Sequence, residues 1–248
     1  MSLSRRAVGA VSRRLQRPEL LAALYTGARQ AQREEIAIRA LLAGALRGDA
    51  GYVDVGANRG QVLREAVRLA PRGQHIAFEP IPAVAEELAR AFPAVDCRQL
   101  ALGARADTAQ FCYFRNLDGW SGLRRNAEIS DERGDPEYIA VTVSTLDAEI
   151  GERAPCVVKI DVEGAELEVM QGARTLLSQV RPLLIFEHVP AAAAMYGHPP
   201  GAVWDLLSEL EYETFSVLGD GPFDRQQFIA GSEVVNWLAR PNGGRAPR

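Results

Sequence analysis

A short stretch of acidic, glycine and amide residues has the composition of a binding site for a polar ligand. Asp54 ends an apolar run, and Gly56, Asn58 and Gly60 follow before the apolar periodicity of a helix begins at Gln61. Glycine permits a sharp turn and a close backbone approach, and a helix N-terminus presents unpaired N–H groups. The pattern predicts a strand, a glycine turn and a helix, with the Asp54 carboxylate over the crevice of an open α/β sheet.

A second carboxylate, Glu79, ends the next predicted strand, which runs over residues 74–79. An acid at the end of the second strand of a nucleotide-binding fold accepts hydrogen bonds from ribose hydroxyls. The glycine spacing is GxxxG, which differs from the GxGxxG of dinucleotide-binding folds, and the chain has no GK[ST] P-loop. The two acids with the turn between them indicate a nucleotide-containing ligand.

Three more ionisable residues lie near the ends of later predicted strands. Lys159 and Asp161 are two residues apart on a strand, so their side chains point to the same side. A lysine in a buried strand needs a partner, and Asp161 or Glu163 can provide it. The pair is either part of an acceptor site or a structural ion pair. His188, after the strand at 182–187, is either a general base or a packed ring.

A divalent metal is a further possibility at this edge of the sheet. Asp161, Glu187 and His188 have side chains that can ligate one. Their spacing matches no recognised metal signature, and we therefore predict no metal site.

Five motifs in the chain match one known family. They are DVGANRG at 54–60, FEP at 78–80, ALG at 101–103, STLD at 144–147 and VKIDVEGAEL at 158–167. Together they resemble the FkbM-type S-adenosylmethionine-dependent methyltransferases. The resemblance extends from about Gly51 to His188 and is most specific in the VKIDVEGAEL block.

The resemblance implies a class I methyltransferase with a Rossmann-like α/β fold, in which helices cover both faces of a mostly parallel sheet. It implies O-methylation of a hydroxyl on a small molecule or glycan, with S-adenosylmethionine as the cofactor. Adenine is expected beside the third strand. The acceptor is expected beside Lys159, Asp161 and His188. The residues expected to bind the cofactor are Asp54, Gly56, Ala57, Asn58, Gly60, Glu79, Pro80, Ala101 and Leu102.

The chain of 248 residues is long enough for one domain with an appended piece. We predict a helical extension at 1–46, the methyltransferase domain at 47–240 and a disordered tail at 241–248. Strands and helices alternate from 51 to 102, which is typical of parallel sheets. Later strands are predicted at 109–114, 138–143, 157–161, 182–187, 212–217 and 227–229, and a single helix at 164–177. The polar segment 115–137 is predicted to cover the site.

The net charge of −4 gives no reason to expect nucleic-acid binding. Three scattered cysteines indicate thiols in a reducing compartment, and a cytoplasmic location is expected. The chain contains no run of 18 apolar residues, so no membrane span is predicted. The arginine-rich N-terminal helices either cover the cofactor cleft or contact an anionic lipid surface or a carrier protein. The sequence gives no indication of the oligomeric state.

Two other functions are compatible with this fold. A nicotinamide-dependent oxidoreductase is disfavoured by the glycine spacing and by the absence of a Tyr-x-x-x-Lys pair. A ligand-binding module that has lost catalysis is disfavoured because Asp54, Glu79 and Asp161 are all present.

Overall fold

The structure is a computed structural model that describes residues 18–114, 121–123, 137–231 and 233–243, with side chains from residue 29 onward. The strands are β1 (Tyr52–Val55), β2 (Ile76–Phe78), β3 (Asp96–Arg98), β4 (Ala101–Leu102), β5 (Asp107–Tyr113), β6 (Glu137–Ser144), β7 (Val157–Ile160), β8 (Leu183–Glu187), β9 (Tyr212–Ser216) and β10 (Asn236–Pro241). The helices are α1 (Pro18–Ala45), α2 (Gln61–Leu69), α3 (Pro82–Ala91), α4 (Leu146–Ile150), α5 (Glu166–Gln171), α6 (Arg174–Gln179), α7 (Pro190–Ala194), α8 (Ala202–Glu209) and α9 (Arg225–Ala230).

The central sheet has seven strands in the order β3-β2-β1-β7-β8-β10-β9. Strands β3, β2, β1, β7 and β8 are parallel, whereas β10 runs antiparallel to β8 and β9. Asp54 pairs with Lys159 in the register of β1 and β7, and Lys159 pairs with Ile185 on β8. The carboxyl ends of β1, β7 and β8 therefore meet at one edge of the sheet.

Helices cover both faces of this sheet, and alternate strand residues enter two separate core clusters. Val53, Val158 and Leu184 pack with residues of α5, α6 and α8 on one face. Tyr52 and Ile185 pack with residues of α1, α2 and α3 on the other. Burial on both faces explains why the strands have nearly continuous apolar sequences. The predicted α/β architecture with a mostly parallel central sheet is confirmed.

A smaller sheet with the order β4-β6-β5 lies beside the central one. Its strands β5 and β6 form the antiparallel pair predicted near 109–114 and 138–143. The single strand predicted at 95–101 is instead two, because β3 pairs with β2 and β4 pairs with β6.

The prediction for the end of the chain was wrong in two respects. Residues 227–229 belong to α9, whose first turn is fixed by a capping box between Asp224 and Gln227. The last strand is β10, which the sequence analysis missed and which ends at Pro241. Residues 244–248 lie outside the described residues.

The prediction of a single helix over 164–177 was also wrong, because the structure has two helices there, α5 and α6. Gly172 lies between them, and a Cβ there would be 2.1 Å from the Gly103 carbonyl oxygen. The Asp147 carboxylate then accepts the backbone N–H groups of Thr175 and Leu176, both at 2.8 Å, and so satisfies the first turn of α6.

Helix α1 packs on the sheet through Ile38 and Leu42, which lie in the same core cluster as Leu46. In the described part of the chain, no helix is both long enough and apolar enough to cross a membrane. The division into 1–46, 47–240 and 241–248 stays a prediction.

Candidate active site

Two adjoining cavities lie at the carboxyl edge of the central sheet. The larger, of about 780 Å³, extends between this edge and α1. The smaller, of about 110 Å³, lies between β2, β4 and the loop after β7. Gly56, Asn58 and Asp161 line both cavities, so the two open onto the same turn.

The turn after β1 is fixed to the neighbouring strands through its backbone. The N–H groups of Gly56 and Ala57 both donate to the Phe78 carbonyl oxygen at 3.0 Å. Gly56 has φ of +77°, and a Cβ on it would lie 1.9 Å from the Asp161 carbonyl oxygen. Only glycine fits here, because an L side chain would meet the backbone of the chain leaving β7.

Gly60 has a different role from the one predicted. Its φ is +70°, and a Cβ there would lie 2.4 Å from Cε2 of Phe92 and 2.8 Å from Cδ1 of Leu88. It lines neither cavity. The structure therefore places Gly60 in the packing of α2 against α3, and its contact with the cofactor stays a prediction.

Glu79 is the buried acid at the mouth of the smaller cavity, with an exposed fraction of 4%. Its Oε2 accepts from the backbone N–H of Asn58 at 2.9 Å, and its Oε1 accepts from that of Ile81 at 2.9 Å. Each carboxylate oxygen has two lone-pair sites, so a single N–H donor does not exhaust the acceptor capacity of either oxygen. Glu79 therefore fixes the turn and can also bind a ligand.

Apolar side chains form the rest of the smaller cavity. Pro80, Ala101 and Leu102, which the sequence analysis assigned to the cofactor, line it together with Ile81, Phe111, Val162 and Leu123, and the acidic Glu163 also contributes to the wall. Ser121 also lines this cavity, and its Oγ accepts from the backbone N–H of Phe114 at 3.0 Å. Residues 121–123 thus bring part of the predicted covering segment to the site; residues 115–120 and 124–136 lie outside the described residues.

The larger cavity holds a cluster of ionisable side chains from three adjacent strands. Asp54, Lys159, Asp161 and Glu187 all line it. The Lys159 Nζ lies 2.8 Å from Oδ2 of Asp161. The exposed fractions are 1% for Asp54 and 6% for Lys159, so this ion pair and its acidic neighbour are largely removed from solvent. The prediction that Lys159 and Asp161 point to the same side is confirmed.

The pKa values show which of these groups is charged. Burial lowers the pKa of Lys159, but the charges of Asp161 and Asp54 outweigh it, and the net pKa lies above its ordinary value. Burial raises the pKa of Asp161, but the charge and hydrogen bond of Lys159 and the hydrogen bond of Glu187 together outweigh burial, and the net shift is downward. Lys159 is therefore a fixed cation and Asp161 a fixed anion at neutral pH.

The two outer carboxyls shift upward. Burial raises the pKa of Asp54 to about 6, although Lys159 opposes the shift. Burial and then the charge of Asp161 raise the pKa of Glu187 to about 9. Glu187 is thus a neutral acid at pH 7 that is hydrogen-bonded to the Asp161 carboxylate.

His188 does not join this cluster. Its ring stacks on Phe228 at a centroid distance of 5.3 Å, and it lines neither cavity. Burial, and then the charge of His198, lower its pKa to about 4. Neighbouring residues of an extended chain point to opposite sides, and Glu187 takes the side of the cavity. The placement of His188 therefore does not support the predicted role as a base beside Lys159 and Asp161.

Helix α1 forms the wall of the larger cavity that faces the cluster. Its Glu34, with an exposed fraction of 3%, accepts from Nδ2 of Asn236 at 2.8 Å. Its Gln30 donates to the Glu233 carbonyl oxygen at 2.7 Å. These bonds fasten α1 to the segment leading into β10, where Asn236 pairs with Glu187 in register.

The sequence analysis gave covering of the cofactor cleft as one role of the N-terminal helices, but it named no residue of α1 and did not place Asn236 at the site. It named Glu187 only as a possible metal ligand. Their positions depend on the pairing of β8 with β7 and β10, for which the sequence has no local signal. Among the described residues, no group of three or more His, Cys, Asp or Glu side chains is arranged to hold a metal ion.

Replacing Glu187 by glutamine is expected to stabilise the protein increasingly as the pH rises. The folded pKa of about 9 exceeds the ordinary 4.5, so between these values the folded protein holds a proton that the unfolded chain has lost. Stability therefore falls as pH rises through this window, and glutamine removes that loss. The gain in melting temperature should grow from pH 5 to pH 9. Glu209→Gln is the control: hydrogen bonding to Arg174 lowers the pKa of Glu209, so its effect should be constant over this range.

The fold is that of the class I methyltransferases, with helices on both faces of a mostly parallel sheet and the site at its carboxyl edge. The family model described as "Methyltransferase FkbM domain" matches residues 54–214, which is more than half of the chain. The chain therefore belongs to the FkbM methyltransferase family, and the resemblance found in the sequence is confirmed.

One curated relative is the methyltransferase sdnD of Sordaria araneosa, which is 32% identical over 152 residues. That match covers 48% of this chain and 59% of sdnD, so the chain spans less than two thirds of its relative.

Solved structures with a similar fold are more distant. The FkbM methyltransferase of Methylobacillus flagellatus KT has a TM-score of 0.48 and 18% identity, over 79% of this chain and 45% of that one. A putative rRNA-methylase of Clostridium thermocellum has a TM-score of 0.47 and 8% identity, over 83% and 94% of the two chains. Similarities of this size support no conclusion about the substrate.

S-adenosylmethionine is the methyl donor of this family. The two cavities suit its parts: the apolar slot around Leu102 suits a planar base, and Glu79 at its mouth suits ribose hydroxyls. Among the described residues, none lies within hydrogen-bond distance of Oδ1 of the buried Asp54, although the Tyr52 hydroxyl is a neighbour of this carboxyl. Oδ1 can therefore accept from a polar group in the larger cavity. The residues present thus fit the donor, which when bound supplies an electrophilic methyl group.

Proposed function

We propose that the protein transfers the methyl group of S-adenosylmethionine to a hydroxyl oxygen of a small molecule or glycan. The ionisable cluster of Asp54, Lys159, Asp161 and Glu187 supports this most directly. It lies in the larger cavity next to the smaller, apolar one, and Asp161 lines both. A carboxylate between two cavities is suited to orient an acceptor hydroxyl towards a bound donor.

In this proposal, Asp54, Gly56, Ala57 and Asn58 bind the amino-acid end of the donor, and Glu79 binds its ribose. Pro80, Ala101 and Leu102 enclose the adenine. Asp161 accepts the hydrogen bond of the acceptor hydroxyl, and Lys159 holds that carboxylate in position through the 2.8 Å ion pair. Orienting the two reactants and removing the hydroxyl proton are the two tasks that such a transfer requires of the protein.

Isothermal titration calorimetry with S-adenosylhomocysteine and with NAD tests the donor site, and only the former should bind. The acceptor is then sought by incubating the protein with S-adenosylmethionine and a panel of hydroxylated metabolites and glycans, using mass spectrometry to detect added methyl groups. Methylation confined to amines or carboxylates would contradict the proposed O-methylation.

We also propose that the protein works in the cytoplasm, because its three cysteines, Cys97, Cys112 and Cys156, are scattered along the sequence and form no CxxC motif. A peripheral contact with anionic lipid through the first helices belongs to the same proposal. Residues 1–17 lie outside the described residues. Flotation with vesicles that contain anionic lipid tests this contact.

Glu79→Gln is expected to lower the affinity for S-adenosylhomocysteine by about tenfold or more, because a hydrogen bond to a charged group contributes roughly 1.5–3 kcal/mol. An amide also has only one acceptor oxygen, so one of the N–H groups of Asn58 and Ile81 loses its partner. Calorimetry measures the affinity, and the melting temperature shows the loss of stability.

The matched control is Glu86→Gln on α3. The Glu86 side chain is 73% exposed and pairs with Arg90 on the helix surface. Its replacement should leave the affinity unchanged. A folded Glu79→Gln protein with the wild-type affinity would show that Glu79 only fixes the turn.

A further inference from the structure

Three carboxyl groups at the strand ends of the larger cavity share the one ammonium of Lys159, because the two arginines that line this cavity pair with other acids, Arg39 with Glu35 and Arg59 with Glu87. Asp54, Asp161 and Glu187 face it with Lys159 among them, and Asp54 and Lys159 are almost fully buried. An uncompensated buried charge is costly, and a group in that position usually becomes neutral instead. The three carboxyls therefore retain a proton as long as no other cation occupies the cavity.

The contacts of Glu187 identify it as the carboxyl that holds this proton. It hydrogen-bonds to Asp161, whose other partner is Lys159 at 2.8 Å. The charge of Glu163 in the loop after β7 also opposes its ionisation. Glu166 of α5 adds to this effect only above neutral pH, because burial raises the pKa of Glu166 to about 8.

Other neighbours of Glu187 leave this assignment unchanged. Lys159 favours the ionised form but is paired with Asp161. On the other side, Asn236 donates to Glu34 of α1. Asp54 is a weaker candidate, because Lys159 lowers its pKa to a greater extent than Asp161 raises it.

The proposed donor carries a positive sulfonium, whereas its product is a neutral thioether with the same amino-acid, ribose and adenine parts. We propose that Glu187 is the residue of the site that releases and takes up a proton, an inference that rests on the proposed function. It releases its proton when the cationic donor occupies the cavity, and the Asp161–Glu187 pair takes up the proton of the acceptor during methyl transfer.

This assignment balances atoms and charge. The acceptor oxygen forms a bond to the methyl carbon as the carbon–sulfur bond breaks, and the electron pair of that bond stays on sulfur. The hydroxyl proton passes to the Asp161–Glu187 pair, which returns to its state in the free protein. The total charge of the cluster and its ligand thus stays the same throughout, because Glu187 is ionised only while the positive sulfonium is bound.

The test is calorimetric titration with S-adenosylmethionine and with S-adenosylhomocysteine in buffers of different ionisation enthalpy. The slope of the observed enthalpy against the buffer enthalpy counts the protons exchanged. We expect about one proton released with S-adenosylmethionine and about none with S-adenosylhomocysteine at pH 7.5. The affinity for the former should rise by up to about tenfold per pH unit towards pH 8.5, and that for the latter should stay constant.

Glu187→Gln should abolish this difference, because the amide keeps the size of the acid and stays neutral. Glu65→Gln is the matched control on the rim of the same cavity. Hydrogen bonding to Arg68 at 3.1 and 2.6 Å lowers the pKa of Glu65, so it is already ionised and its replacement should leave the proton release intact.

Binding of S-adenosylmethionine without extra proton release would overturn the inference, as would proton release that persists in Glu187→Gln or disappears only in Asp54→Asn. The comparison of the two ligands uses the wild-type protein, so it decides the question even if a variant does not fold. Failure of both ligands to bind would instead refute the proposed function.

Discussion

Replacing Asp161 by asparagine is expected to lower the single-turnover rate by about 10²-fold or more, the lower end of what general-base catalysis contributes. The affinity for S-adenosylhomocysteine should remain within a few-fold, because Asn58, Glu79 and the apolar slot are untouched. The asparagine oxygen can still accept from Lys159, and Asp54 still balances part of its charge. Rapid-quench kinetics with the acceptor found in the metabolite panel measure the rate.

Lys159→Met breaks the same ion pair from the other side and serves as the comparison. If the pair is only structural, both variants should be destabilised, by as much as roughly 3–5 kcal/mol for a broken buried pair, and their folded fractions should turn over normally. If Asp161 binds the acceptor, its variant should lose turnover with a smaller loss of melting temperature. A stable Asp161→Asn protein with near-normal turnover would contradict the proposed role.

Gly56→Ala is expected to destabilise the protein by more than about 3 kcal/mol. A non-glycine residue in the left-handed region costs about 1–3 kcal/mol, and forcing atoms into a packed site costs about 1–3 kcal/mol more. The new Cβ would meet the Asp161 carbonyl oxygen at 1.9 Å, so β1 and the end of β7 must separate. Donor binding should be lost with stability, as measured by chemical denaturation and calorimetry.

Gly197→Ala provides the matched control. Gly197 has the same φ of +77°, but no atom of the residues that the structure describes lies within 4 Å of the position of its Cβ. Its replacement should cost only the left-handed strain, about 1–2 kcal/mol, and should leave donor binding unchanged. Equal losses in the two variants would show that contact with Asp161 is unimportant.

The parts of the site that could be predicted from the sequence are those set by local geometry. The turn from Asp54 to Asn58 follows from glycine conformation, and the pairing of Lys159 with Asp161 follows from the period of two along a strand. Glu79 was predicted because an acid at the second strand end is a feature of the fold itself. For each of these residues, a few neighbours in sequence determine where the side chain points.

The rest depends on contacts between distant segments. Glu187 reaches the cluster through the register of β8 beside β7, and Glu34 reaches it through the docking of α1. A strand was wrongly predicted at 227–229 because Phe228 and Ile229 are apolar. The spacing of Asp224 and Gln227 is that of a capping box and indicates the start of a helix. Strand β10 has only six residues, with arginine and proline at its end, so its own composition did not reveal it.

The separate walls of the two cavities have a consequence for protein engineering. The smaller cavity is lined by residues between Val55 and Ala165, whereas α1 and the segment 233–236 complete only the larger one. A library that varies Ala31 and Glu35 on α1 would therefore change the space open to an acceptor while leaving the Glu79 half of the site intact. Glu34 and Gln30 should be kept constant in such a library, because their hydrogen bonds fasten the helix that carries the varied positions.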